Sequence, residues 1–221
     1  LGTEFDSGSG QMVEGYAVIH YAKDGKKSPH AKGGKKGPPS GGGGGGSQCY
    51  SFLAKGAKWK NVEDYMIDTT NSGLGDAFVR SNLAGDIGKW ESAAGKNIIG
   101  VEIDNDVDGA DTVKPDNKNE VYFDTLDSGT IGVTIVWGVF GGRPSNRMLV
   151  EWDQVYNTYY PWSSSGEDGK MDFENIATHE LGHSVGLGDL YDADCVEETM
   201  YGYGALGETK KRSLEAGDIA G

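Results

Sequence analysis

Asp172-Phe173-Glu174-Asn175-Ile176-Ala177-Thr178-His179-Glu180-Leu181-Gly182-His183-Ser184-Val185-Gly186-Leu187-Gly188-Asp189 is the stretch on which the fold turns. It predicts a helix over 172–185, with Asp172 as N-cap and Gly186 as the C-terminal stop. His179 and His183 stand four residues apart and so project from one helix face. Two imidazoles in that relation can hold one Zn²⁺ at roughly 2.0–2.1 Å. Glu180 then lies beside the metal and can take a proton from its water. As a bare pattern, His-x-x-x-His also arises on ordinary helices. The residues after the second histidine sharpen it. Gly186 comes three residues after His183, and Asp189 three after that. A glycine there breaks the helix and turns the chain back, so that Asp189 can be a third ligand. The other reading of Asp189 is a solvated loop acid near Asp192 and Asp194.

Histidine arithmetic narrows the third ligand. The chain has four His, and the other two, His20 and His30, lie far upstream. A downstream third ligand is therefore a carboxylate or Cys195. Glu197 or Glu198 would suit a zinc site completed by a Glu on a later helix. Only 14 residues separate His183 from Glu197, and no helix is expected between them.

Outward from the helix, strands are expected at 63–69, 98–103, 120–125, 132–139 and 148–156, and a helix at 74–94. The 132–139 run is β-branched throughout, as a strand buried on both faces would be. A last helix begins at 211 and is cut short by the end of the chain. This order gives an α+β class. Residues 12–22 can make one further strand. Residues 23–47, with Lys26-Lys27, Lys35-Lys36, Pro38-Pro39 and Gly41 to Gly46, have linker composition. The expected division is thus a Gly/Lys-rich leader over 1–47, a tail or propeptide remnant, and a catalytic domain over 48–221. The start at Leu1 suggests a processed chain or a fragment.

Charge divides along the same line. The chain of 221 residues carries a net −14. Residues 1–47 hold six Lys against four acids, so residues 48–221 hold 14 bases against 30 acids. Such a body argues against nucleic acid and anionic membranes as partners, since phosphate binding needs a basic surface. No apolar run approaches the length of a membrane span.

Residues 173–202 resemble a metzincin zinc protease, close to the matrixin and snapalysin-like branches. Phe173 to Thr178 is similar to the matrixin lead-in to the zinc helix. Thr199-Met200-Tyr201-Gly202 resembles the Met-turn, whose Met200 would lie as an apolar floor beneath the ligands. Asp189 as third ligand matches the snapalysin branch, whereas matrixins carry His. The resemblance implies a twisted, mostly parallel five-stranded sheet with an antiparallel edge strand, three helices and a Met-turn. It implies a secreted or cell-surface monomer acting on proteins or peptides, with Zn²⁺ bound by His179, His183 and Asp189 and with Glu180 as general base. Substrate would lie extended along an edge strand, which by the resemblance is 132–139. Leu187 and the residues after Met200 would border the specificity pocket. A Tyr that some members place two residues after the Met is Gly202 here, flanked by Tyr201 and Tyr203. His20 would sit on a leader strand with no ligand role. The alternatives are a zinc protease of another class using Glu197 or Glu198, or a non-catalytic calcium-stabilised binding module.

Asp104-Asn105-Asp106-Val107-Asp108-Gly109 has the spacing of the first half of a calcium loop. Position 12 is Pro115, which excludes a complete EF-hand. Either a partial Ca²⁺ loop forms, closed by Asp111, Asp116 or carbonyls, or the acids are simply solvated. The two cysteines, Cys49 and Cys195, suggest one disulfide in a secreted body; the rival reading has Cys49 capping the zinc. Trp137, Trp152 and Trp162 are expected in the core, and Glu151 and Asp153 on the wet face of their strand.

Overall fold

The computed structural model describes residues 1–23 and 48–221; the glycine run and His30 lie outside the described residues. The described chain is α+β, with a mixed sheet and three α-helices. In chain order the strands of the main sheet are β1 (Thr3–Asp6), β2 (Gln11–Ala22), β3 (Glu63–Ile67), β4 (Ile99–Glu102), β5 (Glu120–Asp124), β6 (Thr130–Val139) and β7 (Met148–Asn157). A short parallel pair, β8 (Trp162–Ser163) and β9 (Met171–Asp172), lies apart from them, and β10 (Tyr203–Gly204) joins the main sheet at β2. Along the sheet the order is β1-β2-β6-β7-β5-β3-β4. The pairs from β7 to β4 are parallel; β6 is antiparallel to both β2 and β7.

Two expectations need correction. The main sheet has eight strands among the described residues, not five, and β6 is interior rather than an edge. Two of the three added strands, β1 and β2, lie in the segment assigned to the leader, and the third is β10. β2 hydrogen-bonds along most of β6, from Glu14 opposite Gly138 to Tyr21 opposite Thr130. β6 is accordingly buried at eight of its ten positions, as its β-branched composition suggests.

Helix α1 (Asp76–Ala94) and helix α2 (Phe173–Ser184) pack together on the sheet. The indole of Trp90 on α1 donates to the Thr178 carbonyl at 2.9 Å. Even-numbered β6 residues face α2: Thr134 meets Glu180, and a side-chain carbon at Gly132 would come within 3.0 Å of its carboxylate. Odd-numbered Ile135 and Trp137 face the other way, with Val13 of β2. Trp137, Trp152 and Trp162 are all buried. Glu151 and Asp153 are buried as well, against the expectation of a wet face, because the 103–119 loop folds over that side of β7.

The last helix also differs from expectation. Lys210–Arg212 is a 3₁₀ turn, and α3 (Ala216–Ala220) begins only after it. Asp218 on α3 accepts from the backbone N–H groups of Glu215, Thr199 and Met200. It therefore caps its own helix and pins the turn at Met200 together.

Cys49 and Cys195 form a disulfide across 146 residues of sequence. Neither sulfur is then free to ligate a metal. Closing so long a loop contributes about 4–5 kcal/mol in the chain-entropy account. Replacing both cysteines by serine is expected to lower Tm by roughly 8–15 °C for a chain of this size. A calorimetric shift below about 2 °C would show that the bond adds little to the fold.

Candidate metal centre

Local chain geometry builds the centre. Asp172 accepts from the Asn175 N–H and starts α2 as its N-cap. At the other end Gly186 takes φ +106°, a conformation that favours glycine. The Gly186 N–H then donates to the His183 carbonyl and the Leu187 N–H to the Gly182 carbonyl. This is the paired closure of a Schellman turn, and it sends the chain back toward the helix face that carries both histidines. Gly182 is needed for a second reason. Met200 packs so closely against it that any side chain there would collide with the Met200 sulfur and the Trp90 ring.

Three donor atoms converge as a result. His179 Nε2 and His183 Nε2 are 3.1 Å apart. Asp189 Oδ1 lies 3.3 Å from the first and 3.4 Å from the second. His179 Nδ1 is 2.7 Å from the Thr199 carbonyl, and His183 Nδ1 is 3.0 Å from the Leu187 carbonyl. A carbonyl can only accept, so each Nδ1 carries the hydrogen and each Nε2 turns a lone pair inward. Both imidazoles are fully buried, and Asp189 Oδ1 is a buried oxygen without a hydrogen-bond partner. Two lone pairs and a carboxylate oxygen facing one another out of water form a group that could hold a cation. Tetrahedral bonds of roughly 2.0–2.1 Å place ligand atoms about 3.3–3.4 Å apart, which matches this triangle.

Ionisation is set by the same geometry. Burial pushes the His179 pKa down to about 3, and the Lys211 ammonium adds to that. Burial acts on His183 too, but Asp189 outweighs it and the pKa rises. Burial opposes ionisation of Asp189, yet His183 and His179 hold it well below the usual carboxylate range. Glu180 is fully buried, and burial raises its carboxyl to about 7. The Thr134 hydroxyl donates to Glu180 Oε2 at 2.5 Å, while Oε1 has no hydrogen-bond partner.

Three residues at the centre were missed by sequence reasoning. His20 of β2 is fully buried, with its ring centroid 3.9 Å from that of His179 and its Nδ1 3.3 Å from Glu180 Oε1. His20, His179 and Glu180 thus form a second group that could hold a metal ion, sharing His179 with the first. Lys211 is buried with Nζ 3.1 Å from His20 Nε2, and it donates to the Tyr201 carbonyl. Burial brings its pKa down to about 8. Thr134 is the third. A signal for His20 was present: the two-residue period of a strand puts it on one face with Tyr16 and Val18. Lys211 gave no such signal.

Other candidates lie elsewhere. Glu197 is exposed beside Lys210, and Glu198 accepts from the N–H groups of Gly217 and Asp218. Asp104 and Asp106 are exposed and converge on nothing, while Asp108 pairs with Lys118. The acids that do converge are Asp111, Asp116 and Glu151. Glu151 is fully buried with Oε1 unpartnered, and Asp111 Oδ2 is likewise buried and unpartnered. Burial and then Asp153 push the Glu151 carboxyl up to about 10, and burial carries Asp153 well above its ordinary value. The signal missed in the sequence was Glu151 on a strand facing a loop rich in Asp.

Neither a scan against protein-family models nor a search of curated proteins returns a match for this chain.

The carboxyl cluster sets a pH dependence. The folded pKa values of Glu151 and Asp153 lie above the unfolded ones, so their contribution to stability is full below about pH 4 and is lost as pH rises toward about 10. In divalent-free buffer, Tm is expected to fall between about pH 5 and 9, and Glu151→Gln to flatten that fall. A Glu151→Gln profile parallel to the wild-type one would contradict this origin.

Proposed function

We propose that the chain is a zinc-dependent endopeptidase of metzincin type that hydrolyses peptide bonds with Glu180 as general base. The observation that carries this is the triangle of His179 Nε2, His183 Nε2 and Asp189 Oδ1, with edges of 3.1–3.4 Å. These residues would hold the ion, and the unpartnered Asp189 Oδ1 fits that role. When bound there, zinc supplies a Lewis acid for the scissile carbonyl and a lowered pKa for water. Glu180 does the proton work. Thr134 fixes Oε2, and Oε1, with His20 Nδ1 at 3.3 Å, would be the oxygen that accepts a proton from the attacking water and later delivers it to the leaving amine. A carboxyl raised to about 7 is poised for both transfers near neutral pH.

Met200, buried against Gly182, provides an apolar floor under the histidines in the manner of a Met-turn. The packed turn after α2 and the antiparallel β6 beside parallel β7, β5, β3 and β4 also agree with the metzincin resemblance. Glu197 and Glu198 lie outside the cluster, which disfavours the zinc class that would use them. The disulfide supports an extracellular or cell-surface location. The net −14 supports protein or peptide substrates over nucleic acid or membrane, with the chain acting as a monomer.

Ca²⁺ is the second ion in this proposal, held by Asp111, Asp116 and Glu151 rather than by Asp104, Asp106 and Asp108. Hard oxygen donors of this kind suit calcium. Calcium at about 100 times its Kd should contribute about 2.7 kcal/mol and raise Tm by roughly 5–10 °C. No shift in a calcium titration would remove it from the account.

For zinc, the full chain is expected to hold about one ion per molecule. Asp189→Ala should lose it and Glu197→Ala keep it, by elemental analysis after dialysis. Glu180→Ala should keep zinc while casein cleavage falls by about 10²-fold or more. Cleavage by Glu180→Ala at the wild-type rate would sink the mechanism.

A further inference from the structure

The loop that brings Asp189 to the two histidines carries only isolated bridges, yet it is bonded on both sides. On one side it runs beside residues 51–53. The Leu53 N–H donates to the Gly186 carbonyl at 2.9 Å, and the Gly188 N–H to the Ser51 carbonyl at 3.0 Å. Phe52 and Leu187 form an antiparallel bridge between these two bonds. The Ser51 hydroxyl donates to the Asp189 carbonyl at 3.2 Å. The approach is close enough that a Cβ at Gly188 would meet Ser51 Oγ at 2.7 Å. On the other side the Leu190 N–H donates to the Met200 carbonyl and the Gly202 N–H to the Leu190 carbonyl, each at 2.9 Å. Asp189 is thus held between the turn at Met200 and a segment from far upstream in the chain. That segment is fastened at both ends. The Trp59 indole donates to the Ser184 carbonyl at the end of α2, at 2.8 Å. Cys49, two residues before Ser51, is bonded to Cys195, six residues after Asp189.

We infer that residues 49–54 position Asp189 for the metal, and that the Cys49–Cys195 disulfide is a redox-sensitive clasp on metal affinity. This rests on the zinc reading and names a regulation of that site. Cys195 is buried and Cys49 partly exposed, which leaves one side of the bond open to a thiol reductant. Reduction breaks the S–S bond, and each protein sulfur gains one electron and one proton. The two thiols of the reductant lose them and end as a disulfide. The start of the segment is then released, and the bonds of Ser51 and Leu53 to the loop lose their outer anchor. Two of the three donors depend on that loop. It carries Asp189 itself, and its Leu187 carbonyl orients the His183 imidazole. His179 is oriented from elsewhere, by the Thr199 carbonyl. Reduction therefore loosens the triangle at Asp189 and His183 and leaves α2 in place. Metal loading is tied in this way to the oxidising compartments where disulfides persist.

The test compares three forms of the full chain, well below their unfolding temperatures. They are the oxidised chain, the chain reduced by a phosphine (which ends as its oxide), and the double variant Cys49→Ser, Cys195→Ser, which has no thiol to bind zinc itself. Zinc dissociation constants come from competition with a chromophoric chelator. Both altered forms should bind zinc about tenfold or more weakly, as metal sites do when the groups behind their ligands are lost. Ser51→Ala keeps the disulfide and should weaken zinc binding about threefold, and Ser51→Thr, which keeps the hydroxyl, should restore it. A disulfide that only steadies the fold would lower Tm and leave these constants unchanged. Equal zinc affinity in the oxidised, reduced and Ser51→Ala chains would overturn the inference. Hydrogen exchange adds a readout that needs no metal. The Leu53 and Gly188 amides should exchange about tenfold or more faster after reduction, while amides within α2 keep their rates. Unchanged exchange at Leu53 and Gly188 would overturn the inference as well. Failure of the zinc reading would appear separately, as an oxidised chain that holds no zinc although reduction still frees Leu53 and Gly188.

Discussion

Three electron-rich atoms held within 3.1–3.4 Å of one another, away from water, form the constraint on which the rest depends. Left alone, such a cluster is costly, because neither lone pair nor Asp189 Oδ1 has a donor to face. The surrounding structure keeps it assembled. The Thr199 and Leu187 carbonyls fix the two imidazole orientations, the Gly186 turn delivers Asp189, and Met200 against Gly182 closes the floor. Asp218, from the final helix, holds the Thr199–Met200 turn by two backbone N–H groups. A contact with the last described helix thus reaches the orientation of His179 through one intermediate residue.

The sheet supplies the other half of the centre. β6 places glycine and threonine opposite Glu180, one making room and the other fixing an oxygen. Its opposite edge receives β2, and with it His20 and a contact to the buried Lys211. The same side of the molecule therefore combines a carboxyl of raised pKa, a buried amine and three imidazoles within one network. At the far end of β7, the Asp111, Asp116 and Glu151 carboxylates repeat the theme with oxygen donors alone. The two centres differ in chemistry as zinc and calcium sites do: nitrogen with one carboxylate in the first, only carboxylates in the second.

Much of the helix that bears the centre was legible in the sequence because its signals are local. The cap at Asp172, the four-residue His spacing and the glycine turn act within a few residues of each other, and local rules describe them. The strands from 63 to 156 were legible from β-branched composition, including β6 as buried on both faces. What covers β6 was not legible. Pairing between β2 and β6 joins residues more than a hundred positions apart, and the linker composition downstream of β2 argued for a tail. His20 was set aside with that segment. Glu151 and Asp153 were misplaced for a related reason: strand alternation assigns them a face, but only the 103–119 loop decides that this face is dry. Lys211 could not be assigned at all, since nothing in its neighbours distinguishes a buried lysine from a solvated one.

The convergence of two imidazoles and a carboxylate on one zinc ion is the central claim, and X-ray absorption at the zinc edge of the full chain tests it most directly. The account predicts a shell of nitrogen and oxygen at roughly 2.0–2.1 Å, with the outer-shell scattering of at least two imidazoles and no sulfur. A sulfur shell at roughly 2.3 Å, or zinc surrounded by oxygen without imidazole scattering, would contradict it.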